Sequence, residues 1–535
     1  MVGGVAGGMS AATRLRRLDE SAEIVVVERS GHVSFANCGL PYHVGGVIPR
    51  RKDLLLQTPR SLGRRFGLDV RIHTEAVDID RDRRVVVVHD LDTGERSEIE
   101  YDAMVLSPGA RPVRPPIPGI ERALSLRDIE DTDAMVAGVA DAASVAIIGG
   151  GFIGVELAEN MRARGLAVTL IEATDQVMAP IDPELAAVVH ERIQEHDVDL
   201  RLGVSAQRIG ESTVTLSDGS VIAADLVVAA IGVRPDTELA ARVGLRIGVR
   251  GGIEVNDRLQ TSDPAIYAVG DAVEKRDSLD ESAVLVPLAN TANRQGRRVA
   301  DAIMGRPVSD QPVLGTAIVG VFGLQVAATG WNEKRLRAAR RAYQAIHIHA
   351  GSHAGYYPGA DEMHLKLLTE PGTWQILGAQ GVGESGIDKR IDVISTAIRG
   401  GLTAIDLAEL ELAYAPAFGS AKDPVNMLGW QADNIASGLV QTLQWHEVGA
   451  ASAAGAVLLD VRTEKEYAEG AIPGAINVPL DHLRERMEEI PAGDVVAYCR
   501  VGVRGHTAAR LLAQVGRRVR NLDGGYLTWS AGIGA

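Results

Sequence analysis

Short apolar runs, each closed by a glycine turn or an acid, recur along the first half of the chain. Residues 23–28 read Glu-Ile-Val-Val-Val-Glu, the pattern of a buried strand ending in a carboxylate. Residues 85–90, 101–106, 145–148, 167–172, 226–231 and 265–269 predict further strands. Helical patterns alternate with them. One runs from the glycines at 3–8 to about Leu18, one from Gly149 to Arg164, and one starts near Asn290. Strand and helix in alternation predict an α/β architecture with parallel sheets. From about Val321 the texture becomes α+β, with strands at 324–330, 343–348, 363–368 and 375–380 and a basic helix near 332–341. An alanine- and glycine-rich join near 448–456 leads into a fresh α/β pattern, with strands at 457–462 and 495–499 and a helix from about His506.

Two of these turns have the dinucleotide-binding form. The fuller is Gly149-Gly150-Gly151-Phe152-Ile153-Gly154, with a strand before it, a helix after it and Glu172 closing the next strand. A helix N-terminus behind a glycine backbone favours a pyrophosphate, with Gly149, Gly151 and Gly154 as the contacts. Glu172 stands where an acid binds a ribose 2′-hydroxyl and repels a 2′-phosphate, so NADH is expected over NADPH. The first turn, Gly3-Gly4-Val5-Ala6-Gly7-Gly8, carries Val5 where G-x-G-x-x-G has its middle glycine. Its glycines Gly3, Gly7 and Gly8, with Glu28 accepting from an adenosine ribose, form the second candidate nucleotide site. Gly109, in Ser107-Pro108-Gly109-Ala110, and Gly270-Asp271 end later strands. Asp271 or its backbone suits a ribityl chain, and the helix near Asn290 aims its positive end at a flavin ring. Only Met1 and Val2 precede Gly3. A parallel strand needs about five residues, so the central place in this sheet is expected to be unfilled, with the true start upstream and FAD held weakly.

Composition narrows the function classes. A chain of 535 residues is too long for one core, which predicts three or four domains. The net charge of −15 argues against general nucleic-acid binding. No apolar run reaches spanning length, no signal peptide precedes the glycine turn, and no Cys/His cluster has zinc spacing, so no membrane and no metal is expected. Two cysteines make no disulfide framework and point to a reducing cytoplasm.

Those two cysteines carry the candidate chemistry. Cys38 lies in Ser34-Phe35-Ala36-Asn37-Cys38-Gly39-Leu40-Pro41. It has no companion four residues away, so its oxidised form is a mixed disulfide, a persulfide or a sulfenic acid. Cys499 opens the loop Cys499-Arg500-Val501-Gly502-Val503-Arg504, where amides and a helix N-terminus stabilise a thiolate or persulfide and Arg500 and Arg504 attract anionic sulfur donors. Ser10, Arg14 and Arg17 fall at i, i+4 and i+7, on one helix face suited to phosphates.

On these motifs, and on the segment from Tyr414 to Asn426, about the first 440 residues resemble the pyridine nucleotide–disulfide oxidoreductases with a single redox cysteine. That branch includes coenzyme A disulfide reductase, NADH oxidase and NADH peroxidase, and coenzyme A disulfide reductase is the nearest in motif. About the last 90 residues resemble a rhodanese domain, with Asp460 and Arg462 as its structural Asp-x-Arg. The combination resembles the coenzyme A disulfide reductase–rhodanese fusions that act on coenzyme A disulfide, persulfide or polysulfide.

The resemblance implies two Rossmann-like nucleotide-binding domains, an α+β dimerisation domain and a C-terminal rhodanese-like α/β domain. FAD-binding parts are expected at 1–115 and 253–322, NAD(P)H-binding at 116–252, dimerisation at 323–440 and rhodanese-like at 445–535. It implies a cycle in which NADH reduces FAD, FAD reduces the Cys38 adduct, and a Cys38 thiolate, its pKa lowered by the flavin and a helix terminus, attacks the next sulfur. It offers Tyr414 and Tyr356, with Tyr357 as alternate, as phenols that reach Cys38 from the partner subunit, and hence a homodimer. Ser10, Arg14, Arg17, Ser34, Asn37, Lys422 and Arg294 match coenzyme A contacts. In the peroxidase branch a histidine stands where this chain has Ala6. An NADH oxidase or peroxidase, and a sulfur carrier or redox sensor, are the competing readings.

Overall fold

Val25–Val27 runs parallel to Asp69–Arg71, and Met104–Leu106 parallel to Ile266–Ala268. Val2 lies between the two pairs, bridged in parallel to Val27 on one side and Leu106 on the other. Its N–H donates to Val105 O at 2.9 Å, and the Gly3 N–H donates to Val27 O at 2.9 Å. The central place expected to be unfilled is therefore taken by residues 1–3. The backbone of so short a segment is enough to bridge both neighbours, because a parallel ladder asks for N–H and C=O groups rather than for length.

The second parallel sheet is ordered Val198–Arg201, Ala167–Ile171, Ser144–Ile148 and Leu226–Ala229. A three-stranded antiparallel meander is inserted within the chain span of each sheet, Thr74–Asp80 to Arg96–Glu100 ahead of Met104–Leu106 in one case and Ala206–Ile209 to Val221–Ala223 ahead of Leu226–Ala229 in the other. The spacing of the two glycine turns has a steric cause. A Cβ on Gly8 would lie 1.9 Å from Gly3 O, and one on Gly154 would lie 1.8 Å from Gly149 O. Each helix thus starts hard against its turn.

The computed structural model describes residues 1–308 and 311–534. These parallel sheets belong to a first unit, Met1–Thr174 with Asp197–Gly315. The second unit comprises Asp175–His196 and the chain from Thr316 on. Its antiparallel sheet is ordered Ala317–Val321, Leu324–Gly330, Ile376–Gly383, Glu362–Thr369 and Gln344–Gly351. Helices Ile387–Gly400 and Pro424–Ala436 bury Ile391, Ile394, Val425 and Leu428 against it. A five-stranded parallel sheet follows, ordered Thr442–Leu443, Val519–Leu522, Val495–Tyr498, Val457–Asp460 and Ile476–Asn477. No helix among the described residues is long and apolar enough to cross a membrane.

At the heart of the second unit is a fully buried cation. Lys366 Nζ sits 2.9 Å from Asp182, 2.9 Å from Glu333 and in close contact with Glu184. Burial opposes its charge, but the three carboxylates overcome it and raise its pKa. Lys366 in turn, with His347, holds Glu184 well below the usual carboxylate range against the cost of burial.

Candidate functional site

In both Rossmann units the acid at the strand end turns back onto the glycine loop. Glu28 Oε2 accepts from Gly4 N–H at 2.7 Å, and Glu172 Oε2 accepts from Gly150 N–H at 2.8 Å. Helices Ala6–Leu18 and Phe152–Ala163 start immediately after, leaving their first N–H groups for an anion. A Cβ on Gly151 would meet nothing, so that backbone lies open to a ligand, whereas Val5 fills the matching place in the first loop. Gly270, at φ +84°, donates its N–H to Gln295 Oε1. Gly109, at φ +76°, follows Pro108, whose carbonyl accepts from Arg127. Asp271 Oδ1 is buried with no hydrogen-bond partner among the described residues, and burial pushes its carboxyl up. An orphaned buried acceptor calls for a donor from a ligand, which a ribityl hydroxyl is. The residues fit FAD at Gly3, Gly7, Gly8, Glu28, Gly109, Gly270 and Asp271, and a nicotinamide dinucleotide at Gly149, Gly151, Gly154 and Glu172.

Cys38 occupies the turn Asn37–Gly39 and is exposed, just ahead of the short helix Leu40–Val44. Ser34 enters the turn at φ 50°. The short helix packs on Phe152–Ala163, and a Cβ on Gly45 would lie 1.9 Å from Asn160 Oδ1. That packing brings Tyr42 to Glu156, whose Oε1 accepts from the phenol at 3.0 Å. Burial pushes both the Tyr42 phenol and the Glu156 carboxyl up. Partial burial, with the charges of Glu156 and Asp271, also pushes the Cys38 thiol up, while its own backbone N–H works the other way. The expected lowering rests on the flavin and a helix terminus, not on these side chains. The chain's own carboxylates oppose the thiolate, and its stabilisation falls to the bound cofactor. Tyr42 and Glu156 were missed in the sequence; the one signal was a tyrosine four residues after the cysteine.

The proposed coenzyme A contacts are distributed over several elements. Ser10 Oγ donates to Asn293 Oδ1 at 2.7 Å, and Arg14 is already paired with Asp301 at 2.8 Å. Arg17, Asn37 and Arg294 are exposed. Arg16, one residue from Arg17, is buried and donates to the carbonyls of Phe66, Glu20 and Gly67, a structural role. In the second unit Lys422 is exposed beside Asp423, which is buried and ion-paired with Arg390 at 2.9 Å. Arg390 also donates to Ser352 O, and Ala354 N–H donates to Gly419 O. These ties bring two loops together so that the hydroxyls of Tyr356 and Tyr414 lie 2.9 Å apart. Both phenols are exposed, and Tyr357 instead stacks edge-on against His353.

Cys499 ends the strand Val495–Tyr498, and its Sγ accepts from Gly502 N–H at 3.2 Å. The following helix begins at Val503, earlier than the expected His506. Asp460 and Arg462 form a buried bidentate pair, and Arg462 lies over the Tyr526 ring at 4.3 Å. Arg500 is paired bidentately with Glu362 at 2.8 and 2.9 Å, and Arg504 with Glu466 at 2.6 and 2.8 Å, so neither guanidinium is an unshared cation. The Arg504 hydrogen bonds hold Glu466 down at about 2. Cys499 is 0% exposed. Alkylation of the native protein is therefore expected to label Cys38 at least about tenfold faster than Cys499, because reactivity follows access as well as thiolate character. Peptide mapping after a short pulse of iodoacetamide checks this, and equal labelling would show that the Cys499 loop opens freely.

A family profile described as pyridine nucleotide-disulphide oxidoreductase matches residues 1–296, and the dimerisation domain of that family matches 316–424. A rhodanese-like domain profile matches 444–532. A coenzyme A disulfide reductase of Staphylococcus haemolyticus is 34% identical over 439 residues, covering 81% of this chain and 99% of its own. The reduced CoADR-RHD of Bacillus anthracis superposes with a TM-score of 0.98 at 48% identity, over 100% of this chain and 97% of its own. An NAD-dependent persulfide reductase from A. fulgidus superposes with a TM-score of 0.93 at 36% identity, over 99% of each chain.

Proposed function

The chain belongs to the pyridine nucleotide–disulphide oxidoreductases, and from that membership we propose that it reduces coenzyme A disulfide and coenzyme A persulfide through Cys38, with polysulfide as a further acceptor. In this reading it works as a homodimer, and Cys499 is a sulfurtransferase centre. The observation that carries the reading is Cys38 itself, an exposed thiol on a turn beside Asp271 and Glu156, with the other cysteine in the rhodanese-like core.

The Cys38 thiolate attacks one sulfur of the disulfide. A Cys38–sulfur bond forms, the substrate bond breaks, and one coenzyme A thiolate leaves. With a persulfide, attack on the terminal sulfur leaves a Cys38 persulfide and the same thiolate. The Tyr356–Tyr414 pair, supplied by the other subunit as the family resemblance implies, donates a proton to that leaving thiolate. Bound FAD and NADH supply the electron pair that restores the Cys38 thiolate and frees the second thiol or sulfide. Ser10, Arg17, Arg294 and Lys422 offer the phosphates polar and cationic partners. Arg14 does so only by sharing Asp301. The test is NADH oxidation by the holoenzyme with each acceptor in turn, following sulfide release. Turnover with none of the coenzyme A species would overturn the reading.

Glu172 sets the choice of nucleotide. Its carboxylate is held at the loop by Gly150 and lies where a 2′-phosphate would bring like charge. NADH is expected to exceed NADPH in kcat/KM by about tenfold or more, the cost of one unfavourable charge contact. Equal values for the two nucleotides would contradict this role.

A further inference from the structure

His347, on the strand Gln344–Gly351, is buried between two carboxylates from opposite sides. Its Nε2 lies 3.0 Å from Glu184 Oε1, and its Nδ1 lies 2.6 Å from Asp523 Oδ2. The His347 backbone N–H donates to the same Asp523 carboxylate at 3.1 Å. Gln431 and Gln444 complete that carboxylate's shell at 2.6 and 3.2 Å. Asp523 follows the strand Val519–Leu522 of the rhodanese-like part, and the chain then turns through Gly524 and Gly525, both at positive φ. Directly after that turn, Tyr526 N–H donates to Cys499 O at 2.8 Å and Leu527 N–H to Arg500 O at 3.0 Å. A Cβ on Gly525 would lie 2.5 Å from Cys499 O, so the turn is pressed against the loop without slack.

We propose that His347 is a positioning residue for the Cys499 loop: through Asp523 and the Gly524-Gly525 turn it holds the two carbonyls that orient Cys499 and Arg500. The inference rests on the reading of Cys499 as a sulfurtransferase centre. A residue of the dimerisation part thereby helps to set the geometry of the rhodanese-like part, which is not a free-standing module.

Both ring nitrogens face carboxylates, so the clamp is made by the imidazolium. The charged groups facing it are Glu184 from the helix Pro183–Glu195, Asp523 from the rhodanese-like part, and Lys366 from the neighbouring strand. His349 lies on its own strand. Burial and Lys366 lower its pKa, but Asp523 and Glu184 outweigh them and hold it up at about 9. A base whose pKa is raised on folding contributes fully below its unfolded value of about 6.5, and that contribution is lost as pH rises through its folded value. The clamp is therefore closed at neutral pH and loosens as pH climbs through about 9.

The test compares wild-type holoenzyme with His347→Gln. One assay is sulfur transfer from thiosulfate to cyanide: the Cys499 thiolate takes the sulfane sulfur and releases sulfite, and cyanide removes that sulfur as thiocyanate. The second is NADH-dependent reduction of coenzyme A disulfide in the same preparation, and the third is hydrogen exchange at the Tyr526 and Leu527 amides. Thiocyanate formation is expected to fall by about tenfold or more, the size of effect of a misplaced reacting group. The decline through about pH 9 should vanish from its pH profile, coenzyme A disulfide reduction should stay within about twofold, and both amides should exchange faster, as local opening predicts. Unchanged thiocyanate formation with an unchanged pH profile would overturn the proposal, as would a parallel loss of both activities. If the wild type forms no more thiocyanate than Cys499→Ser does, the sulfurtransferase reading fails on its own. The exchange rates then decide the clamp, faster in His347→Gln supporting it and equal refuting it.

Discussion

Cys38→Ser abolishes NADH-dependent reduction of coenzyme A disulfide and coenzyme A persulfide, a loss of more than about 10³-fold, because removing a nucleophile leaves only binding behind. The only other cysteine, Cys499, is buried in the rhodanese-like core and accepts a hydrogen bond from Gly502, so it does not substitute. The same variant keeps its thiosulfate–cyanide transfer, which needs Cys499 alone. The reciprocal variant, Cys499→Ser, loses that transfer, keeps reduction of free coenzyme A persulfide, and is impaired only with donors that must first load Cys499, such as thiosulfate or polysulfide. Steady-state assays of both variants with both reactions check this. If Cys499→Ser lowers turnover of free coenzyme A persulfide as severely as Cys38→Ser does, the two sulfurs form one composite site and the division of labour is wrong.

Lys366→Met is expected to destabilise the second unit by about 3–5 kcal/mol, the penalty for leaving buried partners of a broken ion pair uncompensated. Asp182, Glu184 and Glu333 all meet that one ammonium, and Asp182 further accepts from Gln380 Nε2 at 2.7 Å. Removing the cation leaves three buried carboxylates, which His347 and Arg337 neutralise only in part. Trp331, 4% exposed in the same unit, reports its unfolding in denaturant. Lys366→Met combined with Glu184→Gln should recover part of the loss, since one of the stranded charges is then gone. A loss below about 1 kcal/mol for Lys366→Met, the range of an exposed ion pair, would show that the cluster is solvated or protonated instead.

What the sequence disclosed and what it hid divide along contact distance. The glycine loops, the Cys38 turn and the Cys499 loop are local, and each could be read because its spacing reflects one turn of backbone, as the Gly8 and Gly154 contacts demonstrate. The pairings that change their chemistry are remote. Arg14 meets Asp301 from 287 residues away, Arg500 meets Glu362 from 138, and Tyr42 meets Glu156 from 114. No periodicity marks such partners, so Arg14, Arg500 and Arg504 read as unshared cations. The strand Arg96–Glu100 carries no apolar pattern, since Arg-Ser-Glu-Ile-Glu has one apolar residue; its place comes from pairing with Val85–Asp90. The Tyr356–Tyr414 pairing is different again. Resemblance named both residues, but Arg390, tying Ser352 to Asp423, and the Ala354–Gly419 backbone hydrogen bond explain why the two loops meet.

In the proposed cycle, electrons from NADH leave through Cys38 into a sulfur–sulfur bond. The most direct measurement is the ratio of thiol formed to NADH consumed by the holoenzyme with coenzyme A disulfide, taken without dioxygen and again in air. Cleaving one disulfide takes one electron pair and yields two thiols, so the account predicts two coenzyme A thiols per NADH in both conditions and no NADH consumption when the disulfide is left out. NADH consumption in air that proceeds without the disulfide and forms no thiol would contradict it, and would make the protein an oxidase that cycles Cys38 through a sulfenic acid.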